Sequence, residues 1–160
     1  MLRPIPDMLA SYCDMLSASP EARAEGLNCP IPAGFADYPQ ARKPDFLIDV
    51  VAPWYVGYFA TWADAAHHAP DDVRVLRYAQ LLADPAAVLQ TALRHADLPR
   101  GRAACQAALD IAWRDRDTLR FNQGRAGRGT EYFSTAQLQR LERLLSYHPS
   151  LEEWRGALAF

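Results

Sequence analysis

Apolar side chains recur at helical spacing near the start of the chain, at Met8, Leu9, Tyr12 and Leu16. The spacing of three or four residues places them on one face of a helix. Pro6 suits the first turn, because the amide hydrogen that proline lacks would have no partner there. The pattern predicts a helix over residues 6–16. The proline- and glycine-rich residues 17–44 are predicted to be mostly loop.

A second apolar segment is longer and rich in aromatic residues. Asp45 is a good N-cap, and the apolar positions continue to about His68, with Pro53 inside the pattern. The pattern therefore predicts a long helix that is kinked at Pro53. Its aromatic side chains indicate core packing.

Residues 73–78 alternate in polarity and include two valines, and residues 70–72 before them are typical of a turn. This pattern predicts a β-strand. Asp84 followed by Pro85 indicates the start of a helix, and a further helix is predicted over residues 102–114. Ser134 and Gln137 form a capping-box pattern that opens a last apolar helix.

Composition restricts the class of protein. At 160 residues, half of them hydrophobic, the chain fits one domain, residues 1–160, with a real core. A net charge of −2 argues against a general binder of nucleic acids or anionic membranes. Three widely spaced cysteines show no metal-binding spacing and no disulfide framework, which favours a reduced, cytoplasmic setting. No apolar run reaches the length of a membrane span.

Residues 120–129, with the sequence R-F-N-Q-G-R-A-G-R-G, contain three glycines and three arginines. Successive backbone N–H groups in such a turn can form an anion-binding concavity, and guanidinium groups suit phosphate. The capping-box helix that follows strengthens the prediction of a phosphate or sulfate site. A solvated surface loop of the same composition is the alternative interpretation.

Three segments occur in order along the chain: Arg3-Pro-Ile-Pro-Asp-Met-Leu-Ala-Ser11, then Leu76-Arg-Tyr78 with Asp84-Pro85 after it, then Asn122-Gln123-Gly124-Arg125-Ala-Gly127-Arg128-Gly129. Together they resemble the C-terminal half of the sulfotransferases that use 3′-phosphoadenosine 5′-phosphosulfate. The first resembles an Arg-to-Ser segment, the second a strand followed by Asp-Pro, and the third a Lys-Gly-x-x-Gly loop.

The resemblance implies roles for these residues. Arg3 and Ser11 would hold the 3′-phosphate, and Tyr78 would lie beside the adenine. The loop would close over the phosphate with its backbone and basic side chains, at Asn122, Gln123, Gly124, Arg125, Gly127 and Arg128. The implied cofactor is the phosphosulfate donor or its product, 3′,5′-adenosine bisphosphate, with no metal.

The resemblance also implies a fold and an activity. The fold would be α/β, the C-terminal portion of a P-loop-type sulfotransferase fold, predominantly helical with one or two short parallel strands. The activity would be transfer of a sulfuryl group to a hydroxyl or amine of a small-molecule, glycan or peptide acceptor. Positions at which the sequence departs from the family pattern place the chain nearer to bacterial-type members of the family.

Several positions depart from the family pattern. Asn122 stands where the family has an arginine, so we expect Arg125 or Arg128 to point inward instead. The sequence contains no G-x-x-x-x-G-K-[ST] motif and no recognisable catalytic residue. We therefore expect an incomplete domain: the C-terminal piece of a longer enzyme, a short reading frame or a degenerate paralogue. The unpaired edge of a single strand would favour homo-oligomers.

Two alternatives stay open at this point. The chain could be a catalytically inactive nucleotide-binding or interaction module of the same ancestry. It could also be an unrelated small helical protein whose basic loop binds RNA or a phosphorylated partner. The acidic net charge and the order of the three segments argue against the second alternative.

Overall fold

The computed structural model describes residues 1–18, 31–114 and 125–159. Within these ranges the protein is all-helical. The α helices are α1 (Ile5–Ala18), α2 (Lys43–Phe46), α3 (Ala52–His68), α4 (Tyr78–Ala83), α5 (Pro85–His95), α6 (Arg102–Arg114), α7 (Arg128–Tyr132), α8 (Thr135–Ser146) and α9 (Arg155–Leu158). Two 3₁₀ helices cover Ala33–Asp37 and Pro149–Trp154, and a π-helical turn covers Leu47–Val51.

The predicted α/β fold is wrong, because the described residues contain no β-strand. Their only β pairing is an isolated parallel bridge between Leu2 and Arg77. The N–H of Leu2 donates to the carbonyl of Leu76, and the N–H of Tyr78 donates to the carbonyl of Leu2, both at 2.7 Å. Pro4 has no N–H with which to continue a ladder, and Tyr78 already begins α4. The predicted strand therefore pairs at a single point. Because it does not form a strand, the argument for homo-oligomers from an exposed strand edge no longer applies.

The predicted helices are largely confirmed. The first is α1, and both downstream caps form as expected. The Asp84 carboxylate accepts the N–H of Ala87 at 3.0 Å, and Ser134 and Gln137 make the reciprocal capping box of α8. The Asp45 cap is wrong, because the helical run already begins at Lys43. In this helical run the π-helical turn lies directly before the first turn of α3. That first turn contains Pro53, which has no backbone N–H to donate.

The main core forms around α1, which packs against α7, α3, α8 and the 3₁₀ helix Ala33–Asp37. Its most deeply buried side chains are Ile5, Leu9, Leu16, Phe35, Leu47, Val51, Val56, Leu145, Leu151 and Leu158. Burying an aliphatic or aromatic side chain contributes about 1.5–3 kcal/mol relative to leaving it exposed.

Helices α5 and α6 pack on each other beside this core. Their buried residues, Ala86, Val88 and Cys105, are not part of the main hydrophobic cluster. Asp84 joins the pair, since its two carboxylate oxygens accept from both Nη atoms of Arg102 at 2.9 and 3.0 Å. This hydrogen bonding from Arg102 holds the pKa of Asp84 below its usual value. No helix in the described part of the chain is long and apolar enough to cross a membrane.

Candidate functional site

Two arginines from opposite ends of the chain meet at one hydroxyl of α1. The Nη2 of Arg3 donates to the Oγ of Ser11 at 2.9 Å, and the Nη1 of Arg128 approaches the same Oγ at 3.4 Å. We call Arg3, Ser11 and Arg128 the guanidinium cluster. The Leu2 bridge fixes Arg3 just before α1, and Arg128 is the first residue of α7, which packs on α1. The fold thus places two positive charges beside each other.

Tyr78 forms one wall of the guanidinium cluster. The guanidinium carbon of Arg3 lies 4.7 Å from the centre of the Tyr78 ring, within the range of a cation–π interaction. The Leu2 bridge explains this contact, because its hydrogen bonds to Leu76 and Tyr78 hold Arg3 close to Tyr78. The Nε of Arg3 is buried and has no hydrogen-bond partner within the described ranges. A buried donor without an acceptor is costly, so the cluster has unused capacity for an anion.

Residues 120–129, which we call the glycine loop, are described from residue 125 onward, and two backbone N–H groups in this part bind a carboxylate of the chain itself. The N–H of Gly127 donates to Oδ2 of Asp7 at 2.8 Å, and the N–H of Gly129 donates to Oδ1 at 2.7 Å. Asp7 is 2% exposed and lies in the first turn of α1. The predicted concavity of N–H groups therefore exists at these two residues, but its anion is Asp7. These two donors are not free for a phosphate.

The structure gives two of the glycines a packing or conformational role. Gly127 has a φ of 83°, in the left-handed region where other residues are strained. A Cβ on Gly129 would lie 2.2 Å from the Cβ of Pro6, so only glycine allows α7 to approach α1 this closely. Sequence reasoning assigned Gly127 to the cofactor site. In the structure the N–H of Gly127 donates to Asp7 of the chain itself.

Of the two arginines expected to replace the family's loop arginine, Arg128 points inward. Its side chain is 11% exposed. Arg125 is 54% exposed and pairs with Glu131, which is also exposed. The predicted residues Asn122, Gln123 and Gly124 lie outside the described residues. The structure therefore brings together Arg3, Ser11, Tyr78 and Arg128 from the predicted set.

Sequence reasoning gave no role to two acidic residues beside this cluster. Asp7 anchors the glycine loop, and the Oδ2 of Asp14 accepts from the Nη2 of Arg128 at 2.7 Å. One sequence signal was present for both: Asp7, Ser11 and Asp14 are spaced by four and three residues, which places them on one face of a helix. An acidic residue on the same helix face as a serine predicted to bind an anion indicates a partner for nearby cations.

An open cavity of about 470 Å³ lies on another side of α7, lined by Gln40, Ala41, Pro44, Glu131, Tyr132, Ser134 and Gln137. The Tyr132 hydroxyl donates to the Sγ of Cys13 at 2.8 Å, and burial raises the pKa of Tyr132. Ser134 and Gln137 already form the α8 capping box. These polar groups are used by the fold, so the cavity is a weaker candidate than the guanidinium cluster.

No group of three or more His, Cys, Asp or Glu that could hold a metal ion is found in the described ranges. Comparisons with protein-family models, with curated proteins and with solved structures gave no match for this chain. The case for a function therefore rests on the residues of the guanidinium cluster and their geometry.

Proposed function

We propose that this chain binds the 3′-phosphate and adenine of 3′-phosphoadenosine 5′-phosphosulfate, as the cofactor-binding half of a sulfotransferase-type protein. One observation carries the proposal: Arg3 and Arg128 converge on the hydroxyl of Ser11, with Tyr78 against Arg3. These four residues come from three segments that are far apart in the sequence. Each segment was singled out by its resemblance to the sulfotransferase family.

The chemistry of the guanidinium cluster suits a phosphate monoester. Such a group carries nearly two negative charges and three acceptor oxygens at neutral pH. Two guanidinium groups can match this charge with paired donors, and a hydroxyl can add one more hydrogen bond. Because the whole chain is slightly acidic, the positive charge is a local feature of this site.

The cluster fits one end of the donor nucleotide and leaves the other end without assigned residues. The orphaned Nε of Arg3 and the partly buried Tyr78 ring suit a phosphate beside a flat base. When bound, the donor supplies the sulfuryl group. The residues of this chain bind and orient the nucleotide: Arg3, Arg128 and Ser11 hold the 3′-phosphate, and Tyr78 packs beside the adenine. The acceptor is a hydroxyl or amine of a small molecule, glycan or peptide.

A second candidate function is an inactive nucleotide-binding or interaction module. It is favoured by the absence of a G-x-x-x-x-G-K-[ST] motif from the sequence. The two candidates share the nucleotide site and differ in turnover. Assaying sulfuryl transfer from the phosphosulfate donor to a panel of hydroxyl and amine acceptors separates them.

Calorimetric titration with 3′,5′-adenosine bisphosphate and with AMP tests the nucleotide site. We expect the bisphosphate to bind more tightly, because only it carries the 3′-phosphate. Arg3→Ala should weaken bisphosphate binding by about 1.5–3 kcal/mol, the usual range for a hydrogen bond to a charged group. Ser11→Ala should weaken it less, since it removes one neutral donor.

Arg143→Ala is the matched control for loss of one arginine. Arg143 is exposed in the last turn of α8, and its removal should leave nucleotide binding unchanged. Circular dichroism would verify that each variant keeps its helical content. Equal affinity of the wild-type chain for AMP and the bisphosphate would refute the proposed function.

A further inference from the structure

The guanidinium cluster already has one displaceable anion. Arg128 donates to the carboxylate of Asp14 through Nη2, while its Nη1 faces the Ser11 hydroxyl. The two contacts use different nitrogens of one guanidinium group. Asp14 therefore lies beside the same hydroxyl that the proposed site uses for phosphate, and it neutralises part of the positive charge there.

Asp7 and Asp14 differ in how firmly they are held. Asp7 is 2% exposed and accepts two backbone N–H groups, so its carboxylate is part of the core. The side chain of Asp14 is 42% exposed. Arg128 is 11% exposed, so its guanidinium group needs an anionic partner in the folded state. Water can solvate the Asp14 carboxylate, so a phosphate can replace it as the partner of Arg128.

We infer that Asp14 is an internal competitor for Arg128 that sets the affinity of the guanidinium cluster for the 3′-phosphate of the nucleotide. The inference rests on the proposed function, because it concerns the same site. A phosphate that contacts Arg128 has to share it with the Asp14 carboxylate and also meets that negative charge at short range. Both effects weaken binding, and both disappear when the carboxylate is neutralised.

The predicted change in binding affinity on removal of Asp14 is opposite in sign to the change expected if Asp14 supported the site. If Asp14 served to hold Arg128 in position for the ligand, its removal would weaken binding. If it competes, removal strengthens binding of ligands that reach Arg128. Like charges about 4 Å apart repel by roughly 1 kcal/mol even in water, so an increase of about five- to tenfold in affinity is expected.

The experiment is calorimetric titration of four proteins with 3′,5′-adenosine bisphosphate and AMP. Asp14→Asn removes the charge and keeps the shape, Asp14→Glu keeps the charge, and Glu142→Gln removes one negative charge from an exposed position on α8. We expect Asp14→Asn to bind the bisphosphate about five- to tenfold more tightly, with AMP affinity unchanged. Asp14→Glu and Glu142→Gln should behave like the wild type.

The outcomes separate this inference from the proposed function. If the wild type binds the bisphosphate and Asp14→Asn binds it equally or more weakly, the inference is overturned and the proposed function stays intact. An equal gain in Glu142→Gln also overturns it, because net charge then explains the effect. Binding by Asp14→Asn alone supports the competitor role and refutes nucleotide binding by the natural chain. Binding by none of the four proteins refutes both.

Discussion

At the scale of single residues, one carboxylate determines how the glycine loop can be used. Asp7 accepts the N–H groups of Gly127 and Gly129 and thereby joins α1 to the start of α7. An external anion would have had to compete with a buried, preformed partner for these donors. Among the described residues, Arg3, Ser11 and Arg128 are consequently the groups that we propose for contact with an anion.

Asp7→Asn should destabilise the protein by about 1.5–3 kcal/mol, since an amide replaces a buried charged acceptor of two hydrogen bonds. One of the two backbone N–H groups would then face the NH₂ of the amide. The free energy of unfolding can be measured by urea denaturation at pH 7. Glu142→Gln is the control for charge and should change stability little. Equal stability of the two variants would contradict the role of Asp7 as an anchor.

Gly129→Ala should destabilise the protein by about 1–3 kcal/mol, the usual cost of overpacking a core. The new Cβ would lie 2.2 Å from the Cβ and 2.6 Å from the backbone carbon of Pro6, so α7 would have to move away from α1. Gly156→Ala in α9 is the matched control, because nothing lies within 4 Å of its Cβ. That control should be neutral or slightly stabilising, as alanine favours helices. Thermal unfolding of both variants tests the difference.

At the scale of elements, polar contacts at helix ends and on helix surfaces link helices that are far apart in sequence. Arg140 of α8 contacts Asp45 of α2 at 2.6 Å and also pairs with Asp49 in the π-helical turn. Gln137 donates to Asp45 at 3.1 Å as well. Asp45, predicted to cap a helix, instead connects two helices. The hydrogen bond from Gln137, together with the hydrogen bond and positive charge of Arg140, lowers the pKa of Asp45.

The lowered pKa of Asp45 predicts a pH dependence of stability. Because the folded pKa lies below the unfolded value of about 3.9, the stabilisation is present above that value and is lost as pH falls through the folded pKa. Asp45→Asn should therefore lose less stability than the wild type between about pH 5 and pH 3. The effect should be only a few tenths of a kcal/mol, since the contact is half-exposed.

Urea denaturation across this pH range measures the difference, with Glu153→Gln as the control for an exposed acid. An identical pH profile for Asp45→Asn and the wild type would show that the Gln137 and Arg140 contacts do not stabilise the fold.

At the scale of the whole molecule, the helices divide between a main core and a smaller pair. The cluster around α1 contains most of the buried apolar side chains, whereas α5 and α6 bury only Ala86, Val88 and Cys105. Ile111 and Trp113 of α6 are more than half exposed. Few buried contacts mean a low free energy of local opening. The guanidinium cluster lies at α1, at Arg3 just before it and at the start of α7, in the better packed part.

Hydrogen exchange followed by mass spectrometry should detect this division. We expect backbone amides in the middle of α1 to exchange at least about tenfold more slowly than those in the middle of α6, because α6 opens without disrupting the main core. Adding 3′,5′-adenosine bisphosphate should slow exchange further in α1 and α7. Equal protection of α1 and α6 would show that both belong to one cooperative unit.

The sequence alone determined features that depend on neighbouring residues. The caps at Asp84 and Ser134 form between residues three apart, and the extent of α1 follows from its own apolar spacing, so both could be predicted. Arg3, Ser11, Tyr78 and Arg128 were singled out by short motifs, and the structure does bring them together. Their binding of a nucleotide stays a prediction.

Only the tertiary structure decided the fold class and the use of the glycine loop. A β-strand requires a partner with free N–H and carbonyl groups. Among the described residues, the segment 73–78 pairs only with Leu2, and Pro4 stands two residues after it. The contact of Asp7 with Gly127 spans 120 positions in the chain, and the contact of Asp14 with Arg128 spans 114. No local pattern encodes such pairs, because they depend on how α7 packs against α1. That packing leaves Arg128 inside, Arg125 at the surface and Asp14 beside the site.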